Sequence, residues 1–445
     1  MKSLGFDLRF YSELKGHKIG GVFQGVRPVY VILDPELVMR VCVQDFTHFH
    51  DRPFKTNENA NPLDGNLFML AGPRWRALRN KMSPTFTSGK LKWMFGQIET
   101  CGRELVEAMK VETAKEDVEV TDLMARFSTD VIVSCAFGLE PECIKNPDSK
   151  LRQLGRQIFR PQLRQLVRAA VRTLWPSLFV RINLGSGASD VGKFLTSVIQ
   201  QTFRHRQSTG SKRNDFVQLL LELKEKGEIQ IEAKDYQEFT DELLTAQAFI
   251  FFAAGFETSA TSVSMTLYLL AKNADCQEKA RQEVRRVKGQ HGDKITYDAV
   301  KEMVYLDACF MEAARIHTPV QILMRECTKD CILDGVLIKK GTQAYIPVPS
   351  LHLDPEYHPR PLHFDPERFT EGRSPPPGTY LPFGEGPRIC IAKRFAKMES
   401  ILVLAMILDE FAVLPSDKMR EPMRMDPRVL INKPMDGVWL RFKKL

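Results

Sequence analysis

The chain has 445 residues, of which 43% are hydrophobic and 27% are charged, and its formal net charge is +8. This composition is typical of a globular protein and excludes a disordered or fibrous chain. The positive charge is modest for the length, and no long block of one sign occurs, which argues against a nucleic-acid partner. A local basic patch facing an acidic protein or an anionic lipid stays open.

The first elements predicted along the chain are a β-hairpin and a short helix. Residues 19–23 and 28–33 flank the turn Gln24-Gly25, and Asp34-Pro35 supplies a capping acid and a proline for a helix start. Helical periodicity then dominates to about residue 318. It predicts α-helices over 72–83, 89–111, 120–138, 190–207, 236–273, 275–289 and 302–316.

After residue 319 the pattern changes to strands and irregular chain. Residues 331–348 predict two short strands around Lys339-Lys340-Gly341, and a proline-rich segment follows to about residue 390. A further helix is predicted just after Cys390. Because no linker or repeat is visible, residues 1–445 are expected to form one large, mainly α domain with a small β-rich region. No stretch reaches the roughly 18–20 apolar residues of a membrane span, and no signal peptide opens the chain.

The cysteines favour a reducing compartment, and one of them stands apart. Their number is nine, and no C-x-x-C pair occurs, so neither a disulfide framework nor a zinc ribbon is expected. Cys390 closes the pattern F-x-x-G-x-R-x-C, which is formed with Phe383, Gly386 and Arg388. A helix N-terminus and a nearby arginine give this sulfur the positive surroundings that stabilise a thiolate. We expect the loop's glycines to let the backbone approach a flat ligand closely. The plainer alternative is a buried structural cysteine.

A second pattern lies in the long apolar helix, where residues 254–258 are Ala-Gly-Phe-Glu-Thr. An acid beside an alcohol in an apolar helix is costly unless the pair is used. Glu257 can relay protons, and the hydroxyl of Thr258 can form hydrogen bonds. Taken alone, such a pair is more often a surface feature.

Together these motifs resemble those of the cytochrome P450 family. The resemblance implies the P450 fold, with haem b (iron protoporphyrin IX) buried between the long central helix and the cysteine loop. It implies Cys390 as the axial iron ligand and Thr258 and Glu257 as catalytic residues. Thr258 is implied to hydrogen-bond oxygen, and Gly255 to leave room for O2 next to the iron. The other residues implied to contact the cofactor are Trp75, Arg79, Ala254, Gly255, Arg325, Phe383, Gly386, Arg388 and Ala392. Ala392 departs from the family pattern, in which a glycine is usual.

Three further residues match the family's scaffold network. Glu312 and Arg315 form E-x-x-R, and Arg368 occupies the position of the third partner. The resemblance implies a buried network that fixes the cysteine loop and has a structural role. Considered alone, Glu312 and Arg315 would be an ordinary surface ion pair.

The stretches 49–52 and 84–90 resemble insect microsomal cytochromes P450 of the detoxification type. This implies a monooxygenase that inserts one oxygen atom of O2 into an apolar xenobiotic, lipid or hormone. No nucleotide-binding motif is present, so electrons from NADPH are expected through NADPH-cytochrome P450 reductase, with cytochrome b5 as a further candidate donor. The expected location is the cytoplasmic face of the endoplasmic reticulum, with peripheral membrane contact. The family's usual N-terminal anchor is absent from the printed sequence, which is expected to start inside the catalytic domain.

Two other classes of function stay open, a reductase-independent haem-thiolate isomerase or dehydratase and an inactive haem binder. The Glu257-Thr258 pair favours the monooxygenase. Basic residues that could dock the reductase, or merely solubilise the protein, are Arg74, Arg76, Lys81, Lys90, Lys92, Lys393 and Lys397. Expected substrate contacts are Ala254, Phe251, Phe252, residues 320–323, Ile431, the 53–70 loop and the 155–185 region. Phe251 and Phe252 are equally expected to be core residues, because an apolar helix face usually serves packing.

Overall fold

The computed structural model describes residues 8–112, 117–158, 163–182, 190–210, 213, 215–232, 235–370, 372–426 and 431–445. Within these ranges the α-helices are α1 (Leu8–Glu13), α2 (Pro35–Met39), α3 (Gly72–Met82), α4 (Ser88–Glu112), α5 (Val120–Phe137), α6 (Lys150–Ile158), α7 (Leu163–Leu174), α8 (Pro176–Arg181), α9 (Asp190–Thr209), α10 (Phe216–Glu225), α11 (Asp241–Lys272), α12 (Ala274–Gln290), α13 (Tyr297–Glu302), α14 (Val304–Ile316), α15 (Val348–His352) and α16 (Lys393–Glu410). The mainly α fold expected from the sequence is confirmed.

The strands are short and form small sheets beside the helices. They are β1 (Ile19–Gln24), β2 (Arg27–Ile32), β3 (Val118–Glu119), β4 (Glu228–Glu232), β5 (Asp235–Glu238), β6 (Ile322–Glu326), β7 (Cys331–Leu333), β8 (Val336–Ile338), β9 (Gln343–Pro347), β10 (Phe411–Pro415) and β11 (Trp439–Lys444). The largest sheet has the order β1-β2-β9-β6, in which β2 and β9 are parallel and the other pairs antiparallel. The predicted hairpin at the N-terminal side is therefore confirmed.

The predicted turn at residues 339–341 is present, since the Thr342 amide donates to the Lys339 carbonyl at 3.0 Å. A second turn, which was not predicted, closes the β7–β8 hairpin at Asp334 and Gly335, whose φ angles are 48° and 78°. Two consecutive residues with positive φ form the tight turn that suits the twist of an antiparallel pair, and Asp-Gly adopts it readily. Residues 339–341 connect β8 to β9, so this region has three strands rather than two.

Helix α11 runs through the centre of the protein and packs against α5, α14 and α16. It is the one helix of the described residues that is long and apolar enough to cross a membrane, yet 72% of its most apolar window is buried inside the protein. A helix that is apolar all round is a core helix when its neighbours cover it. Its start was predicted too early, because residues 235–238 form β5 and Thr240 Oγ1 caps the helix by accepting from the Leu243 amide at 3.2 Å.

The other long helices were predicted within a few residues of their observed ends. The helix predicted after Cys390 is α16, which begins at Lys393. Helices α6, α7, α8, α10 and α13 were not predicted, since they are short or carry many basic residues. Residues 183–187, whose sequence Asn-Leu-Gly-Ser-Gly favours a loop, lie outside the described residues.

Candidate functional site

The cysteine loop spans residues 381–392 and leads into α16. The Cys390 amide donates to the Phe383 carbonyl at 2.8 Å, and the Ile389 amide donates to the Gly386 carbonyl at 2.9 Å. These bonds fold the loop back on itself, and the Cys390 side chain keeps free surface. Of the nine cysteines, all of which lie in the described ranges, Cys390 alone is exposed.

The two glycines of this loop serve different purposes. Gly384 and Gly386 both have positive φ, at 75° and 73°. A Cβ on Gly386 would lie 1.9 Å from the Cys42 carbonyl oxygen, whereas the nearest atom to a Cβ on Gly384 is 3.7 Å away, on Leu323. Close approach to the protein's own backbone at Cys42 therefore requires Gly386. The approach of a flat ligand to this glycine, expected from the sequence, stays a prediction.

The surroundings of the Cys390 sulfur are cationic. Burial raises the pKa of the Cys390 thiol, and the backbone amide of Ala392 together with the charges of Arg79, Arg52 and Lys393 lower it. Arg79 and Arg52 come from chain segments more than 300 residues earlier. The fold therefore supplies the positive potential that a thiolate needs from distant parts of the chain.

The acid and the alcohol of α11 have separate partners. Thr258 Oγ1 donates to the Ala254 carbonyl at 2.6 Å, and Ala254, one turn earlier, is exposed on a helix that is otherwise largely buried. Glu257 is 4% exposed and pairs with Lys433, with 2.5 Å between Oε1 and Nζ. The side chains of Glu257 and Thr258 therefore diverge, and Lys433 is a residue that the sequence analysis missed.

Gly255 proves to be required by packing. A Cβ at this position would lie 2.8 Å from Cδ1 of Ile132 on α5. Glycine thus allows α11 and α5 to approach closely. Room for oxygen beside the cofactor, the other reason expected for a glycine here, stays a prediction.

Arg388 belongs to a cationic group that overlaps the surroundings of Cys390, since the charge of Arg79 acts on both residues. The Nε of Arg388 donates to the His50 carbonyl at 2.8 Å, and its guanidinium lies 3.8 Å from the centroid of the Trp75 ring. Burial lowers the pKa of Arg388 to about 9, against the opposing charge of Asp51, whose carboxylate is 3.4 Å away. Its Nη1 is buried and has no hydrogen-bond partner among the described residues.

Three further arginines belong to this group, and one of them was missed. Arg325 is 2% exposed, and its Nε has no partner within the described ranges. Burial lowers the pKa of both Arg325 and Arg79. The third is Arg52, whose guanidinium lies 4.1 Å from the centroid of the Phe68 ring and whose pKa is lowered by burial and then by the charges of Arg388, Arg325 and Arg79. It stands in the stretch 49–52 that already carried the family resemblance.

The predicted scaffold residues come together at the end of α14. Arg315 donates to Glu312 through Nε at 2.7 Å and Nη2 at 2.8 Å, and both side chains are fully buried. Arg368 approaches the same carboxylate at 3.5 Å. Arg315 Nη1 also donates to the His352 carbonyl at 2.8 Å. This geometry excludes the ordinary surface ion pair.

The model of the cytochrome P450 family matches residues 10–440 of the chain. The chain belongs to the cytochrome P450 family. Among its relatives, probable cytochrome P450 6a13 of Drosophila melanogaster is 38% identical over 444 residues, which are 99% of this chain and 88% of the relative. Cytochrome P450 6A1 of Musca domestica is 37% identical over 449 residues, covering 98% of this chain and 87% of the relative. The family makes this protein a monooxygenase with haem b as its cofactor.

The residues of this cytochrome P450 fit haem b. Cys390 offers a sulfur with free surface, as the axial iron ligand must. Arg388 and Arg325 each leave a buried N–H without a partner among the described residues, and Arg52 and Arg79 add two more cations nearby. Such a group needs anions, and haem carries two propionates that can supply them. When bound, thiolate-ligated haem activates O2 for insertion into a substrate.

Two of the expected substrate contacts of this cytochrome P450 are core residues. The ring of Phe251 lies 4.2 Å from that of Phe216 and 5.3 Å from that of Phe86, and Phe252 is fully buried. Packing therefore explains both. Ala254 keeps free surface.

Several basic residues expected to dock a reductase are neutralised by neighbours. Arg74 pairs with Glu58 at 2.7 Å. Lys92 pairs with Asp298 at 3.3 Å, and Lys397 pairs with Asp307 at 2.8 Å. The remaining four are Arg76, Lys81, Lys90 and Lys393, for which the described part of the chain shows no ion pair.

Proposed function

We propose that this cytochrome P450 oxidises apolar small molecules, either xenobiotics or endogenous lipids and hormones, with electrons from NADPH delivered by NADPH-cytochrome P450 reductase. The observation that carries the proposal is the acid–alcohol pair on α11. Ser259, the next residue, donates to Glu399 Oε2 of α16 at 3.1 Å, which ties this part of α11 to the helix that follows Cys390. Thr258 is half-buried on the same helix face as the exposed Ala254, and its hydroxyl, which donates to the Ala254 carbonyl, can still accept a hydrogen bond there.

In this proposal each site residue has one role. Cys390 ligates iron, and Arg52, Arg79, Arg325 and Arg388 hold the propionates, with Trp75 stacked on Arg388. Thr258 hydrogen-bonds oxygen, and Glu257 supplies protons. Glu312, Arg315 and Arg368 fix the cysteine loop. Phe383, Gly386 and Ala392 belong to that loop and line the haem site on the side of Cys390.

A reconstitution experiment tests this function. Purified protein, NADPH and reductase are expected to give hydroxylated product from an apolar probe, and the reduced protein is expected to show the thiolate-type carbon-monoxide spectrum. Thr258→Ala should keep that spectrum but form less product per NADPH and release hydrogen peroxide. Product that forms equally well without NADPH would identify an isomerase or dehydratase and refute the proposal.

We propose further that Lys90, Lys393, Arg76 and Lys81 dock the reductase, with cytochrome b5 competing for the same surface. Lys393 is the first residue of α16, three positions after Cys390, and its Nζ lies 5.7 Å from the Phe383 ring centroid. Lys90 lies 4.1 Å over the Trp93 ring, which is itself 51% exposed. A cation over an exposed aromatic ring, together with three further cations that have no ion pair among the described residues, suits an acidic protein partner.

The location at the cytoplasmic face of the endoplasmic reticulum is likewise a proposal, supported by one exposed apolar surface. Phe23 and Val26 at the β1–β2 turn are 75% and 82% exposed, and Trp175 beside α7 is 57% exposed. The two segments are neighbours, since a Cβ on Gly25 would lie 2.6 Å from Leu174 at the end of α7. A shared exposed apolar patch is typical of a membrane-contacting surface.

Flotation with liposomes tests this surface. The triple variant Phe23→Ser, Val26→Ser, Trp175→Ser is expected to lose most vesicle binding. Serine at Ile332 and Leu337, which are 66% and 50% exposed on the separate β7–β8 hairpin, serves as the matched control. Equal binding of all three proteins would refute the proposed contact.

A further inference from the structure

The buried acid of α11 is held by one lysine from the C-terminal segment. Glu257 has a side chain only 6% exposed, whereas that of Lys433 is 29% exposed, and 2.5 Å separates their charged atoms. An ionised carboxylate in the interior costs several kcal/mol unless a partner compensates it. Lys433 supplies that compensation and at the same time touches solvent.

The backbone around Lys433 is fixed, so the lysine has a defined position. The Asn432 amide donates to the Pro319 carbonyl at 2.9 Å, and the Asn432 side chain donates to the Thr318 carbonyl at 3.2 Å. The Asp426 amide donates to the Lys433 carbonyl at 2.9 Å. The two bonds of Asn432 attach this segment to the residues that follow α14. The Lys433 side chain is thereby held in a position from which it reaches α11.

The neighbouring alcohol is engaged elsewhere. Thr258 Oγ1 donates to the Ala254 carbonyl, and Glu257 Oε1 accepts from Lys433, so the two side chains share no hydrogen bond. The hydrogen bond from Lys433 therefore gives protons a path to Glu257 from the side away from Thr258. Lys433 is the residue on that side that carries both a proton and a solvent-accessible surface.

We propose that Lys433 is a positioning residue of the monooxygenase reaction that holds Glu257 in place and passes it protons from solvent. The inference rests on the role of Glu257 given under the proposed function. In the transfer, one N–H bond of the Lys433 ammonium breaks and one O–H bond forms on the Glu257 carboxylate. The resulting neutral amine then takes a proton from water, so the pair returns to its starting charge after Glu257 has released its proton towards Thr258.

Kinetics of four variants test the role. Lys433→Met is expected to lower kcat about tenfold with little change in KM, to increase hydrogen peroxide release per NADPH, and to enlarge the solvent deuterium isotope effect. Lys433→Arg keeps a charged donor and should retain most of the wild-type coupling. In a Glu257→Gln background, Lys433→Met should add no further loss, because the two residues act in one relay.

The matched control is Lys288→Met. Lys288 is 30% exposed and pairs with Asp409 at 2.7 Å, so it has the same exposure and the same kind of partner but lies on α12, away from α11. It is expected to leave kcat, coupling and the isotope effect unchanged. If Lys433→Met behaves like Lys288→Met, or if its loss adds fully to that of Glu257→Gln, the relay is refuted.

Thermal unfolding of the holoenzyme reports on the pair independently of turnover. Lys433→Met should lower the unfolding midpoint because Glu257 becomes a buried charge without a partner, and the double variant with Glu257→Gln should recover most of the loss. Equal midpoints in wild type and Lys433→Met would refute the pairing itself. Wild-type protein that forms no NADPH-dependent product would instead overturn the proposed function and, with it, the role of Lys433.

Discussion

The Leu381 amide donates to Nε2 of His352 at 2.7 Å, and this bond joins the start of the cysteine loop to a buried histidine. The other ring nitrogen, Nδ1, lies 3.1 Å from the Arg315 carbonyl oxygen. A carbonyl can only accept and an amide N–H can only donate, so Nδ1 carries the proton and the ring is neutral. His352 therefore connects the Glu312–Arg315 network to the loop that holds Cys390.

A prediction for the pH dependence of stability follows. Burial lowers the pKa of His352 to about 3, below the roughly 6.5 of an unfolded histidine. The fold favours the neutral ring. The contribution of His352 to the free energy of unfolding is therefore complete above about pH 6.5 and is lost as pH falls towards 3. His317 and His358, whose pKa values are lowered to about 4, add in the same direction. Unfolding midpoints measured from pH 8 to 4 should fall, and His352→Gln should flatten that fall; an unchanged slope would contradict the assignment.

Glu399 gives the opposite pH dependence. Burial raises its pKa to about 8 in spite of the hydrogen bond from Ser259. The protonated form is favoured in the fold, so the destabilisation by Glu399 is absent below about pH 4.3 and grows as pH rises to about 8. Glu399→Gln should leave the unfolding midpoint unchanged at pH 4 and raise it at pH 9. Glu107→Gln, at a side chain 70% exposed, is the control and should show no such trend.

The two glycines of the cysteine loop should differ sharply on substitution. Gly386→Ala places a Cβ 1.9 Å from the Cys42 carbonyl oxygen, so the loop cannot keep its course and the carbon-monoxide spectrum of a thiolate-ligated haem should be lost. Gly384→Ala meets nothing closer than 3.7 Å and should cost only the strain of its positive φ, about 1–2 kcal/mol. Equal effects in spectroscopy and thermal unfolding would contradict this explanation.

Charge reversal tests the reductase surface. Lys90→Glu with Lys393→Glu should raise the apparent KM for reductase several-fold, and added salt should weaken the difference because exposed charges are screened. Lys340→Glu, on the exposed connection between β8 and β9, is the control and should behave as wild type. The carbon-monoxide spectrum of each variant shows that the site is intact. An unchanged KM would remove these lysines from the docking surface.

The sequence predicted those parts of the fold that depend on local pattern. Long helices such as α4, α5 and α11 repeat their apolar residues over many turns, and the hairpin of β1 and β2 has its own turn residues. The short helices α6 and α8 give too few turns for a pattern, and Asp334-Gly335 was overlooked as a turn beside a more basic stretch. Strand β6 was missed because its pairing partner, β9, decides its conformation.

By itself, the sequence determined the chemistry of the site. The residues around Cys390 follow one another along the chain and form one recognisable motif, and the residues around Thr258 form another. Only the tertiary structure decided what surrounds them. Arg52 approaches Arg388, Lys433 pairs with Glu257, and Cys42 lies against Gly386, and the members of each pair are at least 176 residues apart along the chain. Such contacts arise when segments that are distant in sequence pack together. The burial of a side chain and the charges around it depend on distances in space, and the spacing of residues along the chain does not encode those distances.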